Sequence, residues 1–211
     1  MKKVTIILGM LFVLNNTLAA ADSSIVSKWT DISAWQAIRI KSEQRAPLLW
    51  VSHEHKKFFV EARVNFDWTA TLGFIAGKTF QKKETFWITP KAGVLVGASK
   101  EAYNGTTLEA NLGGTKKKFS YFAMNQLAVS FQKKNPPFVY QFVNLQYRLH
   151  KCFAVSAGYQ IYQELVKGSK PGIDIGPQVA FAFKGFYLKT WYTGDPISKL
   201  QKVTFGLGYG F

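Results

Sequence analysis

Three histidines, His53, His55 and His150, are the side chains in this sequence best suited to act as a general base near neutral pH. Hydrolysis would also need a nucleophile within hydrogen-bond reach of one of them. All three lie beside predicted turns, where a solvated turn residue is the simpler interpretation. His53 and His55 share one face with Glu54 between them, a pair that would hold a metal only weakly. We therefore expect no catalytic residue, no metal site and no cofactor.

Two glycine-containing segments have a superficial likeness to nucleotide-binding motifs. Residues 72–79 have three residues between their two glycines, where a phosphate-binding loop needs four. Gly206, Gly208 and Gly210 imitate part of a dinucleotide fingerprint, but no helix follows them in the sequence. Both segments alternate large apolar residues with small ones, as strands do, so we expect no nucleotide binding.

The charge composition limits the class of partner. The chain has 211 residues, of which 47% are hydrophobic, and it carries 27 Lys+Arg against 12 Asp+Glu, a formal net charge of +15. This apolar content excludes a disordered tail, and the single cysteine excludes a disulfide scaffold. A basic protein suits nucleic acid inside the cell, or anionic head groups, lipopolysaccharide and acidic solutes outside it. The compartment decides between these partners.

The N-terminus predicts export. Two lysines precede an apolar run at residues 4–14, and residues 18–21 end in small side chains. This is the layout of a secretory signal peptide, and the apolar run is too short to span a bilayer. We place cleavage after Ala21, with Ala19 as the alternative, which removes two lysines and lowers the net charge from +15 to +13. We expect no nucleic-acid partner for an exported protein.

Apolar residues alternate with small or polar residues along most of the remaining chain. In residues 203–211 the large side chains occupy every second position, and Thr or Gly lies between them. The same alternation occurs at residues 58–66 and 173–183. A strand gathers such residues on one face, whereas a helix would scatter them around its axis. The sequence therefore predicts an all-β protein.

The second face of the strands distinguishes two β architectures. In a soluble sandwich or barrel that face meets water and is rich in charge, but here many of its residues are Gly, Ala or Ser, as in a crowded lumen. Aromatic residues also collect at strand ends, where a membrane-interface belt would lie, among them Phe80, Trp87, Trp191 and Tyr192. We therefore expect a closed antiparallel transmembrane β-barrel whose apolar face meets lipid.

Turn signals divide this barrel into twelve strands, with ten as the alternative because the first two are short. The predicted strands are 34–40, 47–53, 57–66, 70–80, 85–97, 104–112, 117–131, 138–149, 152–163, 172–183, 186–194 and 200–211. The predicted domains are a signal peptide at 1–21, an N-terminal lead at 22–33 and the barrel at 34–211. The apolar pattern changes face within 138–149, which would require a bulge near Phe142.

The last ten residues resemble the C-terminal signature of bacterial outer-membrane β-barrel proteins. The signature has a terminal aromatic residue and apolar residues at every second position before it, here Val203, Phe205, Leu207, Tyr209 and Phe211. In that class the signature is read by the machinery that folds barrels into the outer membrane. The resemblance implies the outer membrane of a Gram-negative bacterium as the location. It also implies the assembly machinery, outer-membrane lipid and lipopolysaccharide as partners, but no specific subfamily and no substrate.

The alternation also predicts which side chains face the lumen. If Phe58, Val60 and Val64 face lipid, the residues between them face inward. Applied to every strand, this gives the lumen candidates Glu61, Arg63, Lys91, Glu109, Asn144, Arg148, Asp174, Lys189 and Lys202. Five of these are basic and three are acidic, a surplus of two. Such charges either pair into a plug or line a path that selects solutes, and a mild cationic surplus would favour anions.

Lysines in the turns form a second basic group on the predicted periplasmic side. They are Lys56, Lys57, Lys82, Lys83, Lys116, Lys117, Lys118 and Lys151. They form either a solvated rim that also meets anionic head groups or an electrostatic funnel that concentrates anionic solutes.

Three functions follow from these features. A small channel or porin for small, anionic solutes agrees with the polar, mildly cationic lumen. The alternative is a closed structural or surface-interaction barrel without transport, although short loops offer little surface for recognition. A lipid-directed outer-membrane enzyme is disfavoured, because the histidines lie on the side opposite the outer leaflet.

Overall fold

The computed structural model describes residues 29–40, 45–65, 71–82, 85–97 and 102–211. The predicted signal peptide lies outside these residues. The strands are β1 (Trp29–Arg39), β2 (Arg45–His55), β3 (Phe58–Asn65), β4 (Thr71–Lys78), β5 (Phe80–Lys82), β6 (Phe86–Gly97), β7 (Gly105–Lys116), β8 (Phe119–Ser130), β9 (Phe138–His150), β10 (Phe153–Glu164), β11 (Gly172–Phe183), β12 (Phe186–Gly194) and β13 (Gln201–Gly210). Among the described residues no helix is long and apolar enough to cross a membrane.

The strands pair antiparallel in one sheet that closes on itself. The order runs from β4 through β3, β2 and β1 to β13, and then through β12 back to β6, which pairs with β4. β4 and β5 both pair with β6 and are separated by Thr79 alone, so they form one interrupted barrel strand. The barrel therefore has twelve strands, as predicted, and the alternative of ten is wrong. The pairing of β4 with β6 closes the sheet into a barrel, as a membrane-spanning sheet requires.

The first two strands are longer than the sequence indicated. β1 begins at Trp29 rather than at residue 34, and β2 extends to His55. Residues 29–33 of the predicted lead therefore belong to the barrel. Asp31 and Ser33 occupy lumen positions in this segment, opposite Ser52 and Trp50 of β2. In this segment the inward Trp29 is large and the outward Thr30 is polar, the reverse of the alternation that marks the other strands.

The outer wall of the barrel is apolar. Phe58 and Val60 are exposed on β3, whereas Glu61 and Arg63 are buried inside, so the two faces lie as predicted. The same exposure of large apolar side chains recurs around the wall, at Leu72, Phe74, Val94, Val96, Leu108, Val129, Leu145, Ile175, Val179, Phe181, Leu188, Phe205 and Leu207. A predominantly apolar outer surface of this kind is typical of a barrel that faces acyl chains.

The barrel has two different ends. Trp29 and Phe211 lie at the end that carries the short turns 56–57, 117–118, 151–152 and 184–185, and we call it the terminal end. The opposite end, the loop end, carries longer connections, including 131–137, 165–171 and 195–200. The terminal end corresponds to the side predicted as periplasmic, and the loop end to the outer side.

β9 has no bulge near Phe142. It pairs with β8 and β10 in continuous register up to Arg148, and the irregularity falls at the terminal end, between Phe153 and Ala154 of β10. Phe142 therefore faces the lumen and Val143 faces outward. The predicted bulge is wrong because it rested on the assumption that aromatic residues belong on the lipid side.

Candidate functional site: the barrel lumen

Four charged side chains form an ion cluster that fills one side of the lumen. Glu61 and Arg63 come from β3, Lys91 from β6 and Glu109 from β7. Nη2 of Arg63 lies 2.7 Å from Oε2 of Glu109, and Arg63 also contacts Glu61. Nζ of Lys91 lies 2.9 Å from Oε2 of Glu109 and 3.2 Å from Oε2 of Glu61. Each cation contacts both carboxylates, so the charges of the cluster compensate one another.

Glycines on β4 give the two cations their space. A Cβ atom on Gly73 would lie 3.1 Å from Cγ of Arg63, and one on Gly77 would lie 2.7 Å from Cγ of Lys91. Because glycine has no side chain at these positions, Arg63 can extend across β4 and β6 to Glu109 on β7. Residues 72–79, which have a superficial likeness to a phosphate-binding loop, thus form a strand whose glycines leave space for lumen side chains.

Aromatic rings and a hydroxyl complete the enclosure of the ion cluster. The guanidinium carbon of Arg63 lies 4.6 Å from the centroid of the Trp50 ring, and Nζ of Lys91 lies 5.1 Å from that of Phe59. Thr107 donates to Oε1 of Glu109 at 3.2 Å. The side chains of Glu61, Lys91 and Glu109 have 0% relative exposure. This enclosed arrangement closes the lumen along β3, β6 and β7.

Lys189 on β12 lies among aromatic rings elsewhere in the lumen. Its Nζ is 4.8 Å from the centroid of the Tyr187 ring and 5.8 Å from that of Trp35. The hydroxyl of Tyr187 donates to both carboxylate oxygens of Asp31, at 3.0 and 3.1 Å. The Tyr187 ring lies where a Cβ atom of Gly208 would be, so the glycines of the last strand leave space for the rings of neighbouring strands.

The lumen is accessible along β9. Every inward side chain of this strand from the loop end to the terminal end is half-buried, namely Phe138, Tyr140, Phe142, Asn144, Gln146 and Arg148. On β7 the inward residues Gly105, Thr107, Glu109, Asn111 and Gly113 are all buried. The lumen is therefore filled unevenly, with a closed side at β7 and an accessible side at β9.

An ion pair lies at the loop end of the accessible side. Nζ of Lys202 on β13 is 2.7 Å from Oδ2 of Asp174 on β11, and Gln160 also donates to that oxygen. The two side chains are 17% and 23% exposed, unlike those of the enclosed ion cluster. Asn144 lies deeper, where it donates to Oε1 of Gln178 at 3.3 Å. Arg148 lies at the opposite, terminal end of β9 and is not part of either ionic group.

Aromatic rings form a track inside the barrel. Ring centroids are 6.1 Å apart from Trp87 to Phe122, 6.0 Å from Phe122 to Phe142, and 5.2 Å from Phe142 to Trp191. The prediction that Trp87 and Trp191 belong to a membrane-interface belt is therefore wrong. Nε1 of Trp191 donates to the carbonyl of Gly176 at 3.1 Å, a bond that satisfies its polar atom inside the lumen. Phe80 and Tyr192 are exposed on the outer wall, as expected for a belt.

The described lumen has no cationic surplus. Four charged residues absent from the predicted set also occupy inward positions, namely Asp31, Arg39, Glu54 and Glu164. These three acids and one base offset the predicted surplus of two. Asp31, Glu54 and Glu164 lie just outside the predicted strand bounds, which is why the sequence reading omitted them. Arg39 lies within a predicted strand, and the alternation alone would have found it.

The histidines lie outside the lumen. Nδ1 of His53 is 2.8 Å from the hydroxyl of Thr30 on the outer wall at the terminal end, while His55 and His150 are exposed beside turns. No group of three His, Cys, Asp or Glu side chains in the described residues could hold a metal ion. The Thr30 and His53 pair lies at the end opposite the one where an enzyme of the outer leaflet would act.

The predicted basic rim lies at the terminal end. Lys56, Lys57, Lys116, Lys117, Lys118 and Lys151 are exposed in or beside its turns. Lys83 lies outside the described residues, and only the backbone of Lys82 is described. Lys184, in the turn between β11 and β12, occupies the same end and was not in the predicted set.

The barrel is similar to solved outer-membrane porins. The KdgM porin matches with a TM-score of 0.63 and 14% identity over 86% of this chain and 99% of that chain. The KdgM porin in complex with disordered oligogalacturonate matches with a TM-score of 0.65 at the same identity and coverage. The NanC porin matches with a TM-score of 0.61 and 10% identity over 84% of this chain and 97% of that one. No family model and no curated protein matches the sequence. At these identities the likeness establishes the fold, a closed twelve-stranded antiparallel barrel of the porin type.

Proposed function

We propose that the protein is an outer-membrane channel for small polar solutes. The observation that carries this proposal is the accessible surface on every inward side chain of β9 from Phe138 to Arg148. A barrel with a solid interior would bury these residues, as it buries those of β7. The porin fold and the apolar outer wall support the same function and an outer-membrane location.

The lining of this path favours polar solutes without strong charge selection. Tyr140 and Phe142 supply ring surface, and Asn144 and Gln146 supply amides that both donate and accept hydrogen bonds. Lys202 is paired with Asp174, and the acidic and basic residues of the described lumen balance. We therefore replace the expected anion preference by weak ion selectivity.

Conductance of the refolded protein in a planar lipid bilayer tests the proposal. We expect discrete steps and, under a salt gradient, a reversal potential close to zero. Lys202→Gln leaves Asp174 unpaired beside the path and shifts the preference toward cations, while Asp174→Asn shifts it toward anions. Lys170→Gln, in the exposed loop before β11, is the control and should produce a much smaller shift.

The closed structural barrel is the second candidate, and the enclosed ion cluster favours it. Glu61, Arg63, Lys91 and Glu109 already plug part of the lumen. Inserted, folded protein that gives no conductance steps would contradict the channel and support a closed barrel. A lipid-directed enzyme has no comparable support, since the KdgM and NanC structures to which the fold is similar are porins.

A further inference from the structure

Three hairpin turns at the terminal end hold lysines in a backbone conformation that lysine rarely adopts. The φ angles are 51° at Lys56, 72° at Lys57, 57° at Lys117 and 45° at Lys184. Left-handed positions of two-residue hairpin turns favour Asn and Gly, because a Cβ atom crowds the following carbonyl. Lysine nevertheless occupies these positions in three separate turns. Strain repeated in this way points to a use for the ammonium groups.

Each strained turn is followed directly by an exposed phenylalanine at the start of the next strand. Phe58 follows the turn of Lys56 and Lys57, Phe119 follows that of Lys117, and Phe186 follows that of Lys184. Phe58 and Phe119 are each 64% exposed on the outer wall. A phenyl ring has no polar atom, so its favourable surroundings are the acyl chains at the edge of the membrane core. The neighbouring ammonium groups then lie at the height of the lipid head groups.

Contacts between ammonium groups and aromatic rings link lysines to phenylalanines at the terminal end. Nζ of Lys184 lies 5.4 Å from the centroid of the Phe183 ring. Nζ of Lys78 lies 5.6 Å from that of Phe58 and 5.8 Å from that of Phe80. We call the turn lysines Lys56, Lys57, Lys117 and Lys184, with Phe58, Phe119, Phe183 and Phe186, the basic belt.

The positive charge of the basic belt is not offset within the described part of the chain. Among the described residues, none of the four lysines of the basic belt takes part in an ion pair. The turns at 56–57, 116–118 and 184–185 contain no acidic residue. An anion from outside the protein is therefore the natural partner of these lysines.

We propose that the basic belt binds the phosphodiester head groups of anionic phospholipids in the adjoining leaflet. The phenylalanines select a lipid over a soluble anion, because a soluble ligand would gain nothing from apolar rings placed beside each cation. Head groups seated on the turns would hold the terminal end of the barrel at a fixed depth. This role adds to the channel proposal and does not depend on it.

The test uses a variant, called the basic-belt variant, whose substitutions should favour the turn conformation but remove the lysines that bind lipid head groups. Lys56→Asn, Lys57→Gly and Lys184→Asn together convert two turns to Asn-Gly, the sequence that their backbone favours. The denaturant midpoint of unfolding is measured by tryptophan fluorescence in vesicles of phosphatidylcholine alone and of phosphatidylcholine mixed with phosphatidylglycerol. We expect the wild type to gain stability from phosphatidylglycerol. The variant should equal or exceed the wild type in phosphatidylcholine but lose most of that gain.

A second variant removes three lysines from the other end of the barrel. Lys167→Asn, Lys170→Asn and Lys199→Asn alter exposed positions at the loop end, and Lys199 is also left-handed, with φ 57°. This variant should keep the full gain from phosphatidylglycerol. An equal loss in both variants would mean general attraction between a basic protein and an anionic surface, and would overturn the proposal.

Two further outcomes would also overturn the proposal. If inorganic phosphate stabilises the wild type in phosphatidylcholine vesicles as much as phosphatidylglycerol does, the lysines bind free phosphate rather than lipid. If the basic-belt variant changes ion selectivity while its stability stays equal to that of the wild type in both vesicles, the lysines act as an electrostatic funnel. Because the primary measurement is stability, a silent channel would leave this result unaffected.

Discussion

Arg63 and Lys91 each contact two carboxylates inside the barrel, so the ion cluster is sensitive to the loss of any one charge. An enclosed ion pair overcomes the cost of desolvation only when each charge is compensated and hydrogen-bonded. With Glu61 and Glu109 both present, the two cations and two anions meet this condition. Without one carboxylate, two cations share a single anion in a space closed to water.

Replacement of Glu109 by glutamine tests this interdependence. We expect Glu109→Gln to lower the free energy of unfolding by about 3–5 kcal/mol, the cost of an uncompensated buried charge. Denaturant titration of the detergent-refolded protein measures the change. Glu164→Gln, at the half-buried loop end of β10, is the control and should have a much smaller effect. If Glu109→Gln is as stable as the wild type, water reaches the cluster and the β7 side is not closed.

At the scale of the strands, β8, β9 and β10 carry a hydrogen-bonded polar group on their outward face. Nε2 of Gln141 donates to Oδ1 of Asn125 at 2.7 Å, and the hydroxyl of Tyr159 donates to Oε1 of Gln141 at 3.0 Å. Leu127 and Val139 form the next outward pair along β8 and β9, so the surroundings of the group are apolar. In an apolar surrounding such groups persist because they satisfy one another across adjacent strands.

Loss of the central amide should destabilise these strands. We expect Gln141→Leu to lower the free energy of unfolding in vesicles by about 1–3 kcal/mol, because Asn125 and Tyr159 lose their partner. The combined variant Asn125→Leu, Gln141→Leu and Tyr159→Phe removes every polar atom of the group and should recover most of the loss. A combined variant less stable than Gln141→Leu alone would show that these side chains have polar partners beyond one another.

For the whole molecule, closure of the sheet fixes where a solute can pass. The pairing of β1 with β13 joins the two ends of the described chain, and the enclosed side chains fill the interior beside β3, β6 and β7. On β9 the inward side chains are accessible from one end of the barrel to the other. If solutes pass beside β9, a bulky inward side chain on β9 alone should be enough to narrow the path.

Bulky substitutions on the two faces of β9 test this asymmetry. Gln146→Trp points into the accessible side of the lumen and should lower the single-channel conductance by roughly half or more. The matched control Leu145→Trp adds the same ring at the adjacent, outward position, where Leu145 is 61% exposed, and should leave conductance unchanged. Equal conductance in both variants would place the path elsewhere in the lumen.

Much of this fold could be predicted from the sequence because one face of each strand meets lipid. Side chains along a strand alternate between its two faces, so an apolar outer face fixes the orientation of every residue in the strand. The alternation therefore predicted twelve strands. It also predicted the inward positions of Glu61, Arg63, Lys91 and Glu109. The start of β1 was missed because its inward Trp29 is large and its outward Thr30 is polar, the reverse of the pattern in other strands. Aromatic residues were misplaced as well, because Trp191 can satisfy its polar atom either at a membrane interface or inside the lumen.

Alternation along a strand is a local property, so the sequence by itself determined the class of barrel, the strand count and the inner and outer faces. The tertiary structure decided which inward charges meet, since Arg63 and Glu109 are separated by 46 residues and come together only through strand order and the space at Gly73. It also decided the charge balance of the lumen and the open side along β9. These features depend on how side chains from different strands share one enclosed volume, and no single segment of the sequence contains that information.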